Sequence, residues 1–209
     1  RASVIGRVFW DGALQSLEGA DGIPLPNLDR LLDDLRRREL IFLRLGSTFA
    51  AWREFSFKNN LLRDVVYHGL LGRQRRAYHR EVGDWLMRSS GARAGEYADI
   101  IGGHFEQAGD LGRAARQAFR AAQAAFAVNA YAEAEIQLQR AAEMFERDDT
   151  APGGLQIQIP LLLGRVAADT GRPDRAREQL SQAGDRAAAA GDEVAALQAD
   201  ALLARVDAW

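Results

Sequence analysis

The sequence predicts a mainly α-helical chain in two parts, and three observations carry that prediction. Apolar residues recur at helical spacing along most of the chain, one short stretch alternates with period two, and beyond residue 95 the helices become alanine-rich. The alanine-rich helices are separated by Gly-Asp or Gly-Arg-Pro-Asp turns. A length of 209 residues suits two modest domains. The expected boundaries are 1–90 for the first and 95–209 for the second, with the second incomplete at its C-terminal end.

In the first part, Val4, Ile5, Val8, Phe9, Ala13 and Leu17 stand at helical spacing and predict one helix over 4–17, broken by the stretch from Gly19 to Pro26. Asn27 is placed to cap a second helix, with Leu28, Leu31, Leu32 and Leu35 on one stripe and Arg36, Arg37 and Arg38 in its last turn. Leu40 to Leu45 is short, branched and aromatic, and Glu54-Phe55-Ser56-Phe57 alternates, so the two predict a β-hairpin. Asn59 opens a third helix carrying Leu61, Leu62, Val65, Val66 and Leu70, and after Gly72 a fourth is expected from about Gln74 to Arg88. Helix, helix, hairpin, helix is a winged-helix-like order.

The second part carries an internal period. Leu163-Gly164, Ala167, Gly171, Ala176, Leu180 and Ala183 occupy the offsets of a tetratricopeptide-like repeat of about 34 residues. Ile101-Gly102, Phe105, Gly109, Ala114, Ala118 and Ala121 show the same offsets, and Ala134, Leu138 and Ala141 give a third, partial match. Small residues at these positions let antiparallel helices approach closely while larger ones fill the next groove, so the spacing predicts an α-solenoid. Pro152-Gly153-Gly154, inside an enlarged loop from Asp148, interrupts the strict period and leaves the repeat phase open.

Composition narrows the function classes. Twenty-seven basic against 29 acidic residues give a net charge of −2, which supplies no global attraction for nucleic acid or anionic membranes. Cysteine is absent, which removes disulfides and thiolate metal sites and makes the cytoplasm the expected location. No apolar run approaches the roughly 18 to 20 residues of a membrane span. The chain opens at Arg1 without an initiator methionine and reaches Trp209 inside a stretch that reads as helix, so both ends are expected to be boundaries within a larger protein.

No constellation of catalytic residues emerges, and the expectation is a chain with no enzyme activity, cofactor or metal of its own. His68, His79 and His104 lie in no metal-binding spacing and read as partly exposed helical histidines. Asp33-Asp34 and Asp148-Asp149 are adjacent pairs, and in a helix neighbours point about 100° apart, so they read as solvated surface. There is neither a phosphate-binding G-x-x-x-x-G-K-[ST] loop nor a G-x-S-x-G elbow. Lys58, Arg63, Arg73, Arg75 and Arg76 form a basic cluster that a winged helix would use on phosphate or DNA, although a solvated face or an intramolecular contact is the favoured reading. The regular apolar spacing of Val65, Val66, Leu70 and Leu71 predicts that much of the third helix is buried. On the repeats, Phe126, Asn129, Tyr131 and Gln137 are the candidates for binding a partner on the concave face.

The run Phe57-Lys58-Asn59-Asn60-Leu61-Leu62-Arg63-Asp64-Val65-Val66-Tyr67, followed by Leu70-Leu71 and Arg75-Arg76, resembles the region after the ATPase module in bacterial STAND-type signalling ATPases. In that family the module accompanies helical repeats and an adenylate or guanylate cyclase domain or a LuxR-like transcriptional regulator domain. Ala2 to Phe9 is similar to the entry of the winged-helix portion, and Arg38-Glu39-Leu40-Ile41 to its helix-to-hairpin step. The resemblance implies a regulatory, protein-interacting segment that couples ligand or partner binding by the repeats to an NTPase module and an output domain. The alternative is a fragment of a DNA-binding winged-helix transcriptional regulator. The family commonly carries a histidine that touches ADP phosphates at the start of the third winged-helix helix; the matching residue here is Asn59, which makes it the nucleotide-sensing candidate. Because a neutral amide can donate to phosphate but adds no positive charge, any such restraint is expected to be weaker and less pH-sensitive.

Overall fold

The structure, a computed structural model, describes residues 1–20, 24, 27–148 and 154–208. Among these the chain is mainly helical, with eleven α-helices and one three-stranded antiparallel sheet. Two compact units are present, Arg1–Asp110 and Leu111–Trp209.

In the first unit the single helix expected over 4–17 is replaced by three elements: α1 (Ala2–Ile5), β1 (Val8–Trp10) and α2 (Asp11–Ser16). Gly6, at φ 154°, ends α1 in a conformation that side-chain-bearing residues rarely adopt. Strand pairing then outweighs helical spacing, because Val8, Phe9 and Trp10 pair with Ser56, Phe55 and Glu54. Phe9 is fully buried, stacked on Phe55 at 5.6 Å and tilted against Phe57 at 5.3 Å.

The remaining elements of this unit lie near their expected positions. Asn27 caps α3 (Leu28–Arg37) by accepting a hydrogen bond from the Arg30 amide, and its stripe buries Leu32 while Leu31 and Leu35 stay exposed. β2 (Ile41–Leu43) and β3 (Glu54–Phe57) pair antiparallel with Ile41 opposite Phe57, and the strand order β1-β3-β2 makes β3 central. The ten-residue connection is tied back by the buried Glu54 carboxylate, which accepts from the Thr48 amide and hydroxyl, both at 2.8 Å, and from Trp10 Nε1 at 3.0 Å. Arg44 adds an ion pair at 2.9 Å.

After the sheet come α4 (Asn60–His68), α5 (Gly72–Ser90), a 3-10 turn, and α6 (Ala98–Ala108). Trp85 of α5 stacks on Trp10 at 5.6 Å and meets Phe49 edge-on at 5.2 Å. The helix α6, which the sequence places with the repeats, packs on α5 inside the first unit, and a Cβ on Gly83 would stand 2.6 Å from the Phe105 ring. The expectation that α4 is largely buried is not met: none of its residues is buried, and Leu61 and Val65 are more than half exposed. Apolar spacing reports an apolar face but not whether anything within the same unit covers it.

The second unit holds α7 (Leu111–Ala127), α8 (Tyr131–Glu146), α9 (Leu155–Asp169), α10 (Pro173–Ala190) and α11 (Glu193–Asp207). Short turns join α7 to α8, α9 to α10 and α10 to α11, and the helices of each pair pack along one another as antiparallel hairpins. Alternate helices also touch, α7 with α9 and α9 with α11. The offsets read from 163–183 fall on α9 and α10: Ala167, Ala176, Leu180 and Ala183 are buried, and Gly171 makes the left-handed turn at φ 70°. Ala134, Leu138 and Ala141 are likewise fully buried on α8. Most of the enlarged loop, 149–153, lies outside the described residues, as does most of the break at 19–26.

Two local devices hold α9 to α10. A Cβ on Gly164 would stand 2.6 Å from Leu180 Cγ, so glycine sets the distance between the two helices. Pro160 lies inside α9 and cannot donate to the Gln156 carbonyl one turn earlier, and Arg186 of α10 supplies that hydrogen bond at 2.9 Å. Gly164→Ala should therefore destabilise the chain by about 1–3 kcal/mol through overpacking. Gly184→Ala, whose Cβ would meet Ala199 at an ordinary 3.6 Å, should be neutral or stabilising by up to about 1 kcal/mol from helix propensity. Urea unfolding followed by helical circular dichroism checks both values.

Candidate functional site

The basic cluster is only partly available for an external phosphate. Lys58 pairs with Glu39 at 3.0 Å, and Arg63 donates to the Ser3 carbonyl at 2.9 Å and pairs with Asp64 at 2.8 Å. Arg63 and Arg75 both lie over the Tyr67 ring, at 5.0 and 5.3 Å. Arg73 and Arg76 are exposed. Asn59 is the N-cap of α4: its Oδ1 accepts from the Leu62 amide at 2.8 Å while the residue remains exposed. Asp33 and Asp34 are paired along α3 with Arg36 and Arg37, and Asp148 accepts from the Gly112 amide at 2.9 Å. Asp149 lies outside the described residues.

Two histidines depart from the sequence reading. His79 and His104 are buried, not partly exposed, and their Nδ1 atoms are 2.9 Å apart. The Ile5 carbonyl accepts from His104, and His79 Nε2 lies 2.9 Å from the Tyr67 hydroxyl. One proton arrangement satisfies every contact: Tyr67 donates to His79 Nε2, His79 Nδ1–H donates to His104 Nδ1, and His104 Nε2–H donates to Ile5. Both rings are then neutral. Burial pushes His79 down to about 4, with Arg63 and Arg75 adding to the effect, and burial pushes His104 lower still, assisted by His79 and Arg63. The sequence held a signal for their burial but not for their pairing, since His79 falls on the apolar stripe of Tyr78, Val82 and Leu86, and His104 adjoins Phe105. The third histidine, His68, is exposed, with its ring against the Asp64 carbonyl. Among the described residues no group of three or more His, Cys, Asp or Glu is arranged to hold a metal ion.

An apolar groove of about 550 Å³ opens in the first unit, walled by Leu31 and Leu35 of α3 and Leu62, Val66 and Leu70 around α4. In the second unit, two adjoining depressions of about 400 and 350 Å³ run across α7, α9 and α11 and share Phe119, Gln123 and Gln158. Arg116 and Arg120 line one and Arg165 the other. The Arg165 guanidinium lies 4.8 Å from the centre of the Phe126 ring, which meets Tyr131 edge-on at 5.7 Å. Tyr131 donates to Asn129 at 2.8 Å, so three of the four residues singled out for partner binding meet at the α7–α8 turn. Gln137 is apart from them: it is buried on α8, donating to Glu133 at 2.8 Å, and its Oε1 has no hydrogen-bond partner among the described residues.

No family model, no curated protein and no solved structure matches this chain.

The histidine pair makes a pH prediction. The unfolded chain takes up protons near the ordinary histidine value of 6.5 while the folded pair resists them toward 4, so stability is full above pH 7 and falls as the pH drops through this window. The slope is at most about 1.4 kcal/mol per pH unit for each histidine. Three of the four tryptophans, Trp10, Trp52 and Trp85, lie in the first unit, so tryptophan fluorescence during urea unfolding between pH 7 and 5 reads the effect. The urea midpoint should fall over that range, and a His79→Gln/His104→Gln double variant should show a flatter dependence.

Proposed function

We propose that this chain is a non-catalytic regulatory and protein-interaction segment of a bacterial STAND-type signalling ATPase. In this reading the first unit is winged-helix-like, and the second is a tetratricopeptide-like array that receives a partner. The observation that carries the reading is the arginine-lined groove across α7, α9 and α11, a surface built on a helical scaffold. Partner binding there would bias the packing of the two units on an NTPase module, shifting a two-state equilibrium that sets the output of a cyclase or regulator domain.

Several features of the first unit support the same reading. Two helices between β1 and β2, with strand order β1-β3-β2, fit a winged-helix-like connection. Exposed Leu61, Val65 and Leu71 and the apolar groove beside them are the kind of surface that marks a protein contact. DNA binding, the alternative, is less well served. In a helix-turn-helix the second helix enters the groove after a turn of about 3–4 residues. Here α3 follows α2 after a far longer connection, and its Arg36 and Arg37 are paired with Asp33 and Asp34.

By that topology the helix before the wing is α3, opened by Asn27, whereas Asn59 opens the helix after it. Asn59 still keeps its amide N–H groups for a phosphate, since the cap engages only Oδ1.

The test uses the chain and its parent. The chain alone should hydrolyse no ATP and should show no duplex-DNA affinity at either 50 or 150 mM salt, while deleting 111–209 from the parent ATPase should change its regulated activity without abolishing nucleotide binding. Salt-dependent duplex binding that is lost on Arg75→Ala/Arg76→Ala would establish the DNA-binding alternative instead.

A further inference from the structure

We infer that the groove across α7, α9 and α11 binds an extended, acidic peptide segment, with Arg116, Arg120 and Arg165 reading its carboxylates. The inference rests on the proposed interaction role and names the chemistry of the partner.

Charge complementarity carries the assignment. The described residues lining the two depressions include three arginines and no aspartate or glutamate. Several other arginines in this unit are matched: Arg172 and Arg175 grip Glu135 at 2.9 and 2.6 Å, and Arg177 reaches Asp174 and Asp207 at 3.0 and 2.6 Å. Arg116, Arg120 and Arg165 make no ion pair among the described residues and are exposed. In a chain of net charge −2, three unmatched guanidinium groups on one groove form a local positive field that attracts anions and repels basic sequences.

The geometry selects a peptide. Arg116, Arg120 and Gln123 recur at four- and three-residue intervals and share one stripe of α7, while Gln158 and Arg165 lie two turns apart on one stripe of α9. Each glutamine amide offers both a donor and an acceptor, which matches the alternating carbonyl and amide groups of an extended backbone. The Arg165 guanidinium lies over the Phe126 ring, 4.8 Å from its centre, and this cation–π contact restricts the group without consuming its N–H donors, which a carboxylate can then accept from. A nucleic acid would have phosphates regularly spaced along its length, and three arginines offer too few contacts for the counterion release that drives such binding.

A cellulose array of ten-residue peptides whose Asp and Glu content rises from zero to six, probed with the full chain, tests the inference, and the strongest sequences are then measured in solution by fluorescence anisotropy. The expected result is selection of acidic sequences. Affinity should fall roughly tenfold on Arg120→Glu or Arg165→Glu but stay unchanged for Arg88→Glu, an exposed arginine of the first unit that does not line the groove. Selection of neutral or basic sequences that still need the groove would overturn the acidic assignment and leave the interaction role standing. Binding to no sequence would overturn the inference, as would tighter, groove-dependent binding of a 20-nucleotide single strand.

Discussion

The second unit depends on how closely its helices approach. Gly164 lets Leu180 sit where any side chain on α9 would collide, and fully buried Ala114, Ala122, Ala134, Ala141, Ala176 and Ala183 keep the neighbouring seams comparably thin. Small residues at a crossing carry little apolar area each, so the stabilisation comes from many close dispersion contacts. The same constraint sorts the rest of each helix. Once one face is reserved for alanine and glycine, long polar side chains are left to the others, and Arg116, Arg120, Gln123, Gln158 and Arg165 emerge together on the side where alternate helices meet. The arginine-lined groove is thus a consequence of the packing pattern as much as of the residues that line it.

The first unit is built the other way, around buried carboxylates and histidines that are provided with partners. Burial by itself would raise Glu54, but hydrogen bonds from Thr48 and Trp10 and the charge of Arg44 more than offset it and hold the carboxyl below its ordinary value. Asp11 accepts from the Arg53 amide at 3.0 Å and its guanidinium at 2.6 Å, joining the start of α2 to the start of β3. His79 and His104 join α5 to α6 and, through Ile5 and Tyr67, to α1 and α4. Such groups add little net stability when paired and cost several kcal/mol when a partner is lost, so they favour one arrangement of these short elements over its alternatives.

Much of this was legible in the sequence where the signal is local. Asn27 and Asn59 mark their helix starts because a side-chain oxygen caps an amide three residues on, and Gly171 marks a turn because it alone tolerates the left-handed backbone easily. The alternation at 54–57 gives β3 in full. What was not legible depends on distant partners. Val8 to Trp10 has no pattern that separates a three-residue strand from a helix turn, and its conformation is decided by Phe55 and Phe57, more than forty residues away. The histidine pair is hidden likewise, since the two rings are 25 residues apart and each reads alone as an ordinary helical histidine. Of the partner-binding candidates, Phe126, Asn129 and Tyr131 meet because they flank one turn, whereas Arg165, which lies over Phe126, comes from α9, whose register against α7 only the fold reveals.

The central claim, that this chain acts through a surface rather than through chemistry, is tested most directly by a charge-swap cycle across the groove. Arg120→Glu, and separately a Glu→Lys change in the best-binding acidic peptide, would each be measured alone and together by anisotropy at 150 mM salt. The account predicts that the double change restores part of the affinity lost in the singles, a coupling of at least about 1 kcal/mol. Losses that simply add, for every glutamate tried, would contradict it.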